Sequence, residues 1–293
     1  MRKTQEEKSA IRRQREQKEL AKWEKELNRP KGKFYYWYLV LIIALVYMVD
    51  EITSQIGTQM QTEIAIGLFA DRMSIMNALS AATFPLIILS VLYKTLSDRY
   101  GRRLFLCINT LGMGVGLFLV FLAGKIGDMG GIITYIAATA VINFFIPNDT
   151  QLVYIMETAD ENKRGTMYSI IKSIATVSVM LIPLMRKAFM GDDVTKWENV
   201  YIVPMILALV AAIMCFITAR EPDVFLHNRI AYLKMSDEEK EALKNAKDAS
   251  QEKGGLGKAF KFAFSHKQLR WLFIVAAIWG LGALAIQYYG RIM

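Results

Sequence analysis

The chain has 293 residues, 54% hydrophobic and 22% charged, with a formal net charge of +9 and a mean hydropathy of +0.26. Its apolar residues are clustered rather than spread, which argues against one water-soluble core and for membrane spans. The positive charge lies in blocks between the apolar runs, a pattern of membrane topology that argues against nucleic-acid binding.

In chain order, residues 1–33 come first, with twelve Lys/Arg against six Glu. The stretch 3–28 has no Gly or Pro and predicts a cytoplasmic helix. Its charge pairs Arg12–Glu16, Arg15–Glu19 and Lys22–Glu26 run in the weaker, basic-first order. Leu20, Trp23 and Leu27 form a narrow apolar stripe, so the helix either rests on anionic headgroups or stands as a solvated charged helix. Tyr35, Tyr36, Trp37 and Tyr38 then mark a membrane interface.

Seven apolar runs follow, at about 34–60, 75–96, 104–124, 131–156, 166–186, 199–219 and 271–290. Each is near the roughly 20 residues that cross a hydrocarbon core. The expected fold class is an all-α polytopic membrane protein. The domains are a basic helix (1–33), a six-span bundle (34–219), a cytoplasmic connection (220–270) and a seventh span (271–293). Basic residues crowd alternate connections: 94–103 is rich in them, whereas 61–74 holds only Arg72. That alternation predicts a cytoplasmic N-terminus, and the bilayer is the first partner. Within 220–270, Ser236 and Glu239 form a capping box, so 237–248 is predicted helical.

Span 1 carries charge. From Phe34 to Val49 it is too short to cross, so the helix must continue through Asp50 and Glu51. At about 100° per residue, Leu45, Val49, Ile52 and Ile56 form one stripe, expected to face lipid. Asp50, Ser54, Gly57 and Thr58 lie opposite, with Glu51 and Gln55 alongside, so this face is expected to line a water-filled cavity.

Cys107 and Cys215 each lie within an apolar run, so no disulfide framework is indicated. His227 and His266 lie far apart with no ligand cluster, so neither a metal nor a cofactor is expected. No Ser/His/Asp constellation suggests an enzyme.

Two motifs bear on the family. The run Lys94-Thr95-Leu96-Ser97-Asp98-Arg99-Tyr100-Gly101-Arg102-Arg103 falls at the predicted turn between spans 2 and 3. It resembles the signature loop of the major facilitator superfamily, departing at Lys94, where that loop has Gly. Tyr154 to Gly165 resembles the segment after span 4 in the sugar-porter branch, matching at Tyr154, Glu157, Ala159, Arg164 and Gly165, with Asp160 in place of the usual Pro. Arg220-Glu221-Pro222 is a weaker echo of that branch's motif after span 6.

The resemblance implies a secondary transporter working by alternating access on a small solute, a sugar or related compound. It also implies a cytoplasmic gate, and Asp98, Arg102, Arg103, Glu157, Arg164 and Glu221 are expected to cluster in one layer there. Arg99, Gly101 and Gly165 complete that gate. The sugar-porter fourth span carries an Arg and alternating glycines, which fall here at Ala137, Val141, Asn143 and Phe145, so the substrate stays open. Asp50 matches the acidic residue that proton-coupled sugar porters place in span 1, after an aromatic (Tyr47), which makes it the candidate proton carrier. Capping a short span is its other reading. Protons or sodium are the coupling ions in view, and the plasma (inner) membrane is the expected location.

Asp149 and Lys172 each lie about 12 Å above the same turn, so spans 4 and 5 are expected to pair them inside the membrane. Alternatively, Lys172 snorkels to the headgroups. Asn143 and Asn148 add amides for a polar solute. The chain stops at Met293, just after the seventh span, so a second reading is a membrane remnant or accessory protein without transport, whose seventh span packs poorly.

Overall fold

The computed structural model describes residues 5–32, 34–70, 101–146, 150–159, 161–243, 245, 264–272, 274, 275 and 278, together with 78, 79, 82, 86, 89, 93, 96, 97 and 100. Side chains are described from Ile11 onward, except at 12. The chain divides into two compact units, Met1–Ile230 and Ala231–Met293.

The helices of the first unit are α1 (Gln5–Leu27), α2 (Tyr35–Gln59), α3 (Gln61–Gly67), α4 (Arg102–Ile126), α5 (Asp128–Phe145), α6 (Thr150–Thr158), α7 (Arg164–Ser178), α8 (Leu181–Phe189) and α9 (Ile202–Thr218). A 3-10 segment, Val194–Tyr201, leads into α9, and α10 (Asp223–Lys234) begins in the first unit and crosses the boundary at Ile230. In the second unit Ser236 and Glu239 close the expected capping box. The Ser236 amide donates to Glu239 Oε2 (2.8 Å) and the Glu239 amide to Ser236 Oγ (3.1 Å).

Among the described residues, five helical stretches are long and apolar enough to cross a membrane: Tyr35–Gln59, Arg102–Ile126, Asp128–Thr158, Arg164–Phe189 and Val194–Thr218. They correspond to expected spans 1, 3, 4, 5 and 6. Spans 2 and 7 lie largely outside the described residues, as does the expected poor packing of the seventh.

The stretches alternate in direction. Tyr35, Arg102, Thr158, Arg164 and Thr218 fall at one end, called proximal because the chain first enters the bundle there. Gln59, Ile126, Asp128, Phe189 and Val194 fall at the distal end. Exposed Leu111, Val115, Phe118, Ile206, Leu209 and Ile213 form an apolar outer surface, as a lipid solvent requires. Lipid gives little hydrophobic drive for helix to meet helix, so the inner seams rely on close approach of small residues. At Gly114, an added Cβ would stand 3.1 Å from the Ala208 Cβ, tighter than ordinary contact.

Two expectations for the first span are corrected. The stripe predicted to face lipid is core: Val49, Ile52 and Ile56 are buried, in a helix that packs on α7 and α9. An apolar stripe fits helix neighbours as well as it fits lipid, and periodicity alone does not tell them apart. The connection predicted from residue 61 instead starts as helix. The Met60 amide bonds the Ile56 carbonyl and the Ile64 amide bonds the Met60 carbonyl (both 3.0 Å), carrying the helical pattern to Gly67.

Candidate functional site

Charged side chains meet in the middle of the bundle. Asp50 and Glu51 are neighbours on α2, and Lys172 sits on α7, which packs against α2. The Lys172 ammonium forms an ion pair with Glu51. It also stands 5.3 Å from the Tyr47 ring centroid, a cation–π contact. Tyr168, one turn before Lys172, packs edge-on to Tyr47. Lys172 is 40% exposed and Glu51 19%, so the pair is not sealed in the core. Asp50 is held differently: its Oδ2 accepts a hydrogen bond of 3.1 Å from Gln151 Nε2 on α6. Ser54 is exposed and donates to the Glu51 carbonyl (2.9 Å). Gln55 and Asn143 are half-buried.

Asp149, the expected partner of Lys172, lies outside the described residues, as does Asn148. The cation is seated on Glu51. Sequence reasoning missed Gln151, having chosen Asn143 and Asn148 as the amides of this span. The signal was there: Gln151 is polar in an apolar run, three residues before the motif Tyr154, hence on the same helix face.

At the proximal end several of the residues expected at a gate are held together by backbone as well as side chains. Gly101 precedes α4 with φ +111°, a conformation that favours glycine, and a Cβ there would collide with the Glu221 carboxylate. That carboxylate instead accepts the first amides of α4, from Arg102 (2.8 Å) and Arg103 (3.2 Å), and so caps the positive end of the helix. Burial pushes the Glu221 carboxyl above its ordinary range, while the Arg103 and Arg102 amides pull the other way.

The Arg102 guanidinium takes Glu157 in a fork, Nη2 to Oε1 at 2.9 Å and Nε to Oε2 at 3.1 Å, and donates through Nη1 to Ser97 Oγ (2.7 Å). Arg103 reaches the Phe216 carbonyl. The Tyr154 hydroxyl donates to the Arg220 carbonyl and accepts the Arg220 amide (3.2 Å). Of the expected layer, Arg102, Arg103, Glu157 and Glu221 are brought together. Arg164 donates instead to the Ala159 carbonyl (2.9 Å), and Gly165 faces open space. Asp98 and Arg99 lie outside the described residues.

The α1 stripe has a protein partner. Trp23 is buried and packs edge-on to Phe225 of α10 at 5.8 Å. Glu19 accepts two bonds from Arg229, at 2.9 and 2.7 Å. Arg220 donates to the carbonyls of Arg29 (3.1 Å) and Pro30 (2.9 Å). Neither the headgroup reading nor the solvated one accounts for that stripe.

Apolar helices of spanning length, with charges paired inside them and a polar layer at one end, define a multi-pass helical membrane protein. Residues 6–292 match the family model of the Major Facilitator Superfamily, and the chain belongs to that superfamily, whose members are secondary transporters and not enzymes. No curated protein matches the chain.

Proposed function

We propose that the protein moves a small polar solute, a sugar or related organic compound, by alternating access coupled to protons. The observation that carries this reading is the partly exposed Glu51–Lys172 pair beside the Asp50–Gln151 bond, inside helices of spanning length. An unpaired charge at such depth costs several kcal/mol, roughly, so charges persist there where they have partners and a task. A polar solute that hydrogen-bonds Lys172 or Glu51 competes with the ion pair and loosens α2 from α7. Asp50 is held by the Gln151 amide and lies within electrostatic reach of Lys172, so taking up a proton there changes the charge balance around the Glu51–Lys172 pair. That suits a proton carrier.

The proximal layer is then the cytoplasmic gate, in the plasma (inner) membrane, with the N-terminus inside. The excess of basic residues at that end supports this orientation. Sodium is the other coupling ion to be tested.

Uptake of labelled sugars and related polyols into proteoliposomes tests the reading, with an imposed proton gradient, a sodium gradient or neither. A proton gradient is expected to drive accumulation of at least one solute. Asp50→Asn is expected to abolish accumulation but leave exchange, and Lys172→Ala to lower both. Unaltered uptake with the same pH dependence in Asp50→Asn removes Asp50 as the carrier, and sodium-driven uptake replaces the ion.

A further inference from the structure

We propose that Cys107 and Cys215 form a modification site: a buried dithiol that a small neutral oxidant closes into a disulfide between α4 and α9. The sequence contains two cysteines, far apart along the chain and each within an apolar run, with nothing to pair them. The fold pairs them. Helices α4 and α9 run antiparallel in a constant register. Lys125 meets Glu198 at 2.8 Å at the distal end, Gly114 faces Ala208 in the middle, and Arg103 reaches Phe216 at the proximal end. Cys107 lies two helical turns before Gly114, and Cys215 lies two turns after Ala208. The helix period therefore returns both cysteines to the same seam.

Both thiols are free and lie in that seam, Cys107 8% exposed and Cys215 fully buried. The close approach at Gly114 and Ala208 holds the two backbones near one another along this seam. A disulfide needs Cβ atoms about 3.5–4.5 Å apart, and a Cβ at Gly114 would stand 3.1 Å from the Ala208 Cβ two turns along the same seam, so these helices approach closely enough for one.

The chemistry closes on the two sulfurs. With a peroxide, the first thiolate takes one oxygen, the O–O bond breaks and water leaves, giving a sulfenic acid. The second thiol then displaces that oxygen as a second water and the S–S bond forms. With a diazene such as diamide, the N=N bond accepts the two hydrogens lost by the thiols and becomes a hydrazine. The product staples the seam about one turn inside the Arg102 and Arg103 amides that hold Glu221. The proximal ends of α4 and α9 then stay joined even when the Glu221 contact opens.

The test treats the whole protein in membranes with diamide, below its melting temperature. Excess reagent is removed, the protein is unfolded, and free thiols are counted with maleimide by intact mass. Expected is loss of both maleimide additions in a monomeric product, recovery of both on reduction, and a peptide joining Cys107 to Cys215. Cys107→Ala and Cys215→Ala each replace a thiol with a small apolar side chain and are expected to keep one labelled thiol after the same treatment. Two freely labelled thiols at diamide levels that fully oxidise a short dithiol peptide overturn the proposal. So does a covalent dimer in place of the internal link, or a link that forms only above the melting temperature. None of these readouts depends on what the protein transports.

Discussion

At the distal end of the bundle the carboxylates are sealed and their cations are not. The Glu198 side chain is 5% exposed against 50% for Lys125, and Glu63 is 8% exposed against 47% for Arg186. Next to Glu198 in the chain, Trp197 is fully buried and edge-on to both Tyr135 and Tyr201. At the proximal end both members of the main pair are largely covered, Arg102 at 13% and Glu157 at 20%, and Glu221 is held by backbone amides. The distal end is thus fixed by an aromatic plug, and its ion pairs are trimming. The proximal end is held by directional polar contacts that can break and re-form without moving a core side chain. In the proposed cycle the first is a hinge plate and the second a gate.

The sharpest way to break this comparison is Trp197→Ala. It is expected to lower stability by about 3–5 kcal/mol through the cavity it leaves. Thermal melting in detergent reads this, with the loss larger than for any proximal substitution below. A smaller loss than at Arg102 would reverse the assignment of plate and gate.

Arg102→Lys comes next. A lysine keeps the charge but not the fork that takes both Glu157 oxygens. The expected loss is about 1–3 kcal/mol of contact strength at this site, seen as a fall in solute uptake with membrane insertion unchanged. Wild-type uptake would remove the fork from the gate.

Lys125→Ala is expected to cost less, about 1 kcal/mol. The lysine is half in solvent and its attraction is screened, although Glu198 is left buried without its cation. Melting of Lys125→Ala beside Lys125→Ala/Glu198→Gln checks this. The double variant is expected to recover most of the loss, because the stranded charge is gone.

Smallest is the proton linkage at Glu221. Its folded carboxyl is raised, so the folded state holds the proton more tightly than the unfolded chain. Stability is therefore greatest below the ordinary carboxylate range. It falls as pH rises from that range through the raised folded value, then levels off. Glu221→Gln keeps an oxygen for the Arg102 and Arg103 amides and is expected to flatten this part of the melting-versus-pH curve. An unchanged curve would place the titration elsewhere.

The membrane class, the positions of spans 1, 3, 4, 5 and 6 and the proximal motif were all legible in the order of residues. Length of apolar run, position of charge and the demand of a lipid solvent are local properties, and a local reading recovers them. The Ser236–Glu239 box was legible for the same reason, since both its hydrogen bonds close within one turn. Partner choice was not. Lys172 had acids within reach in more than one span, and only the packing of α2 on α7 seats it on Glu51. The stripe of span 1 was visible as apolar, but whether lipid or protein covers it depends on which helices surround it. Trp23 met Phe225, and Cys107 came to share a helix seam with Cys215, across long separations in the chain. Glu221 binds amides rather than a guanidinium because the left-handed turn at Gly101 turns the first N–H groups of α4 toward it. Sequence by itself determined what must lie in the membrane. The antiparallel registers of the folded helices decided which charge, ring or thiol each buried group would meet.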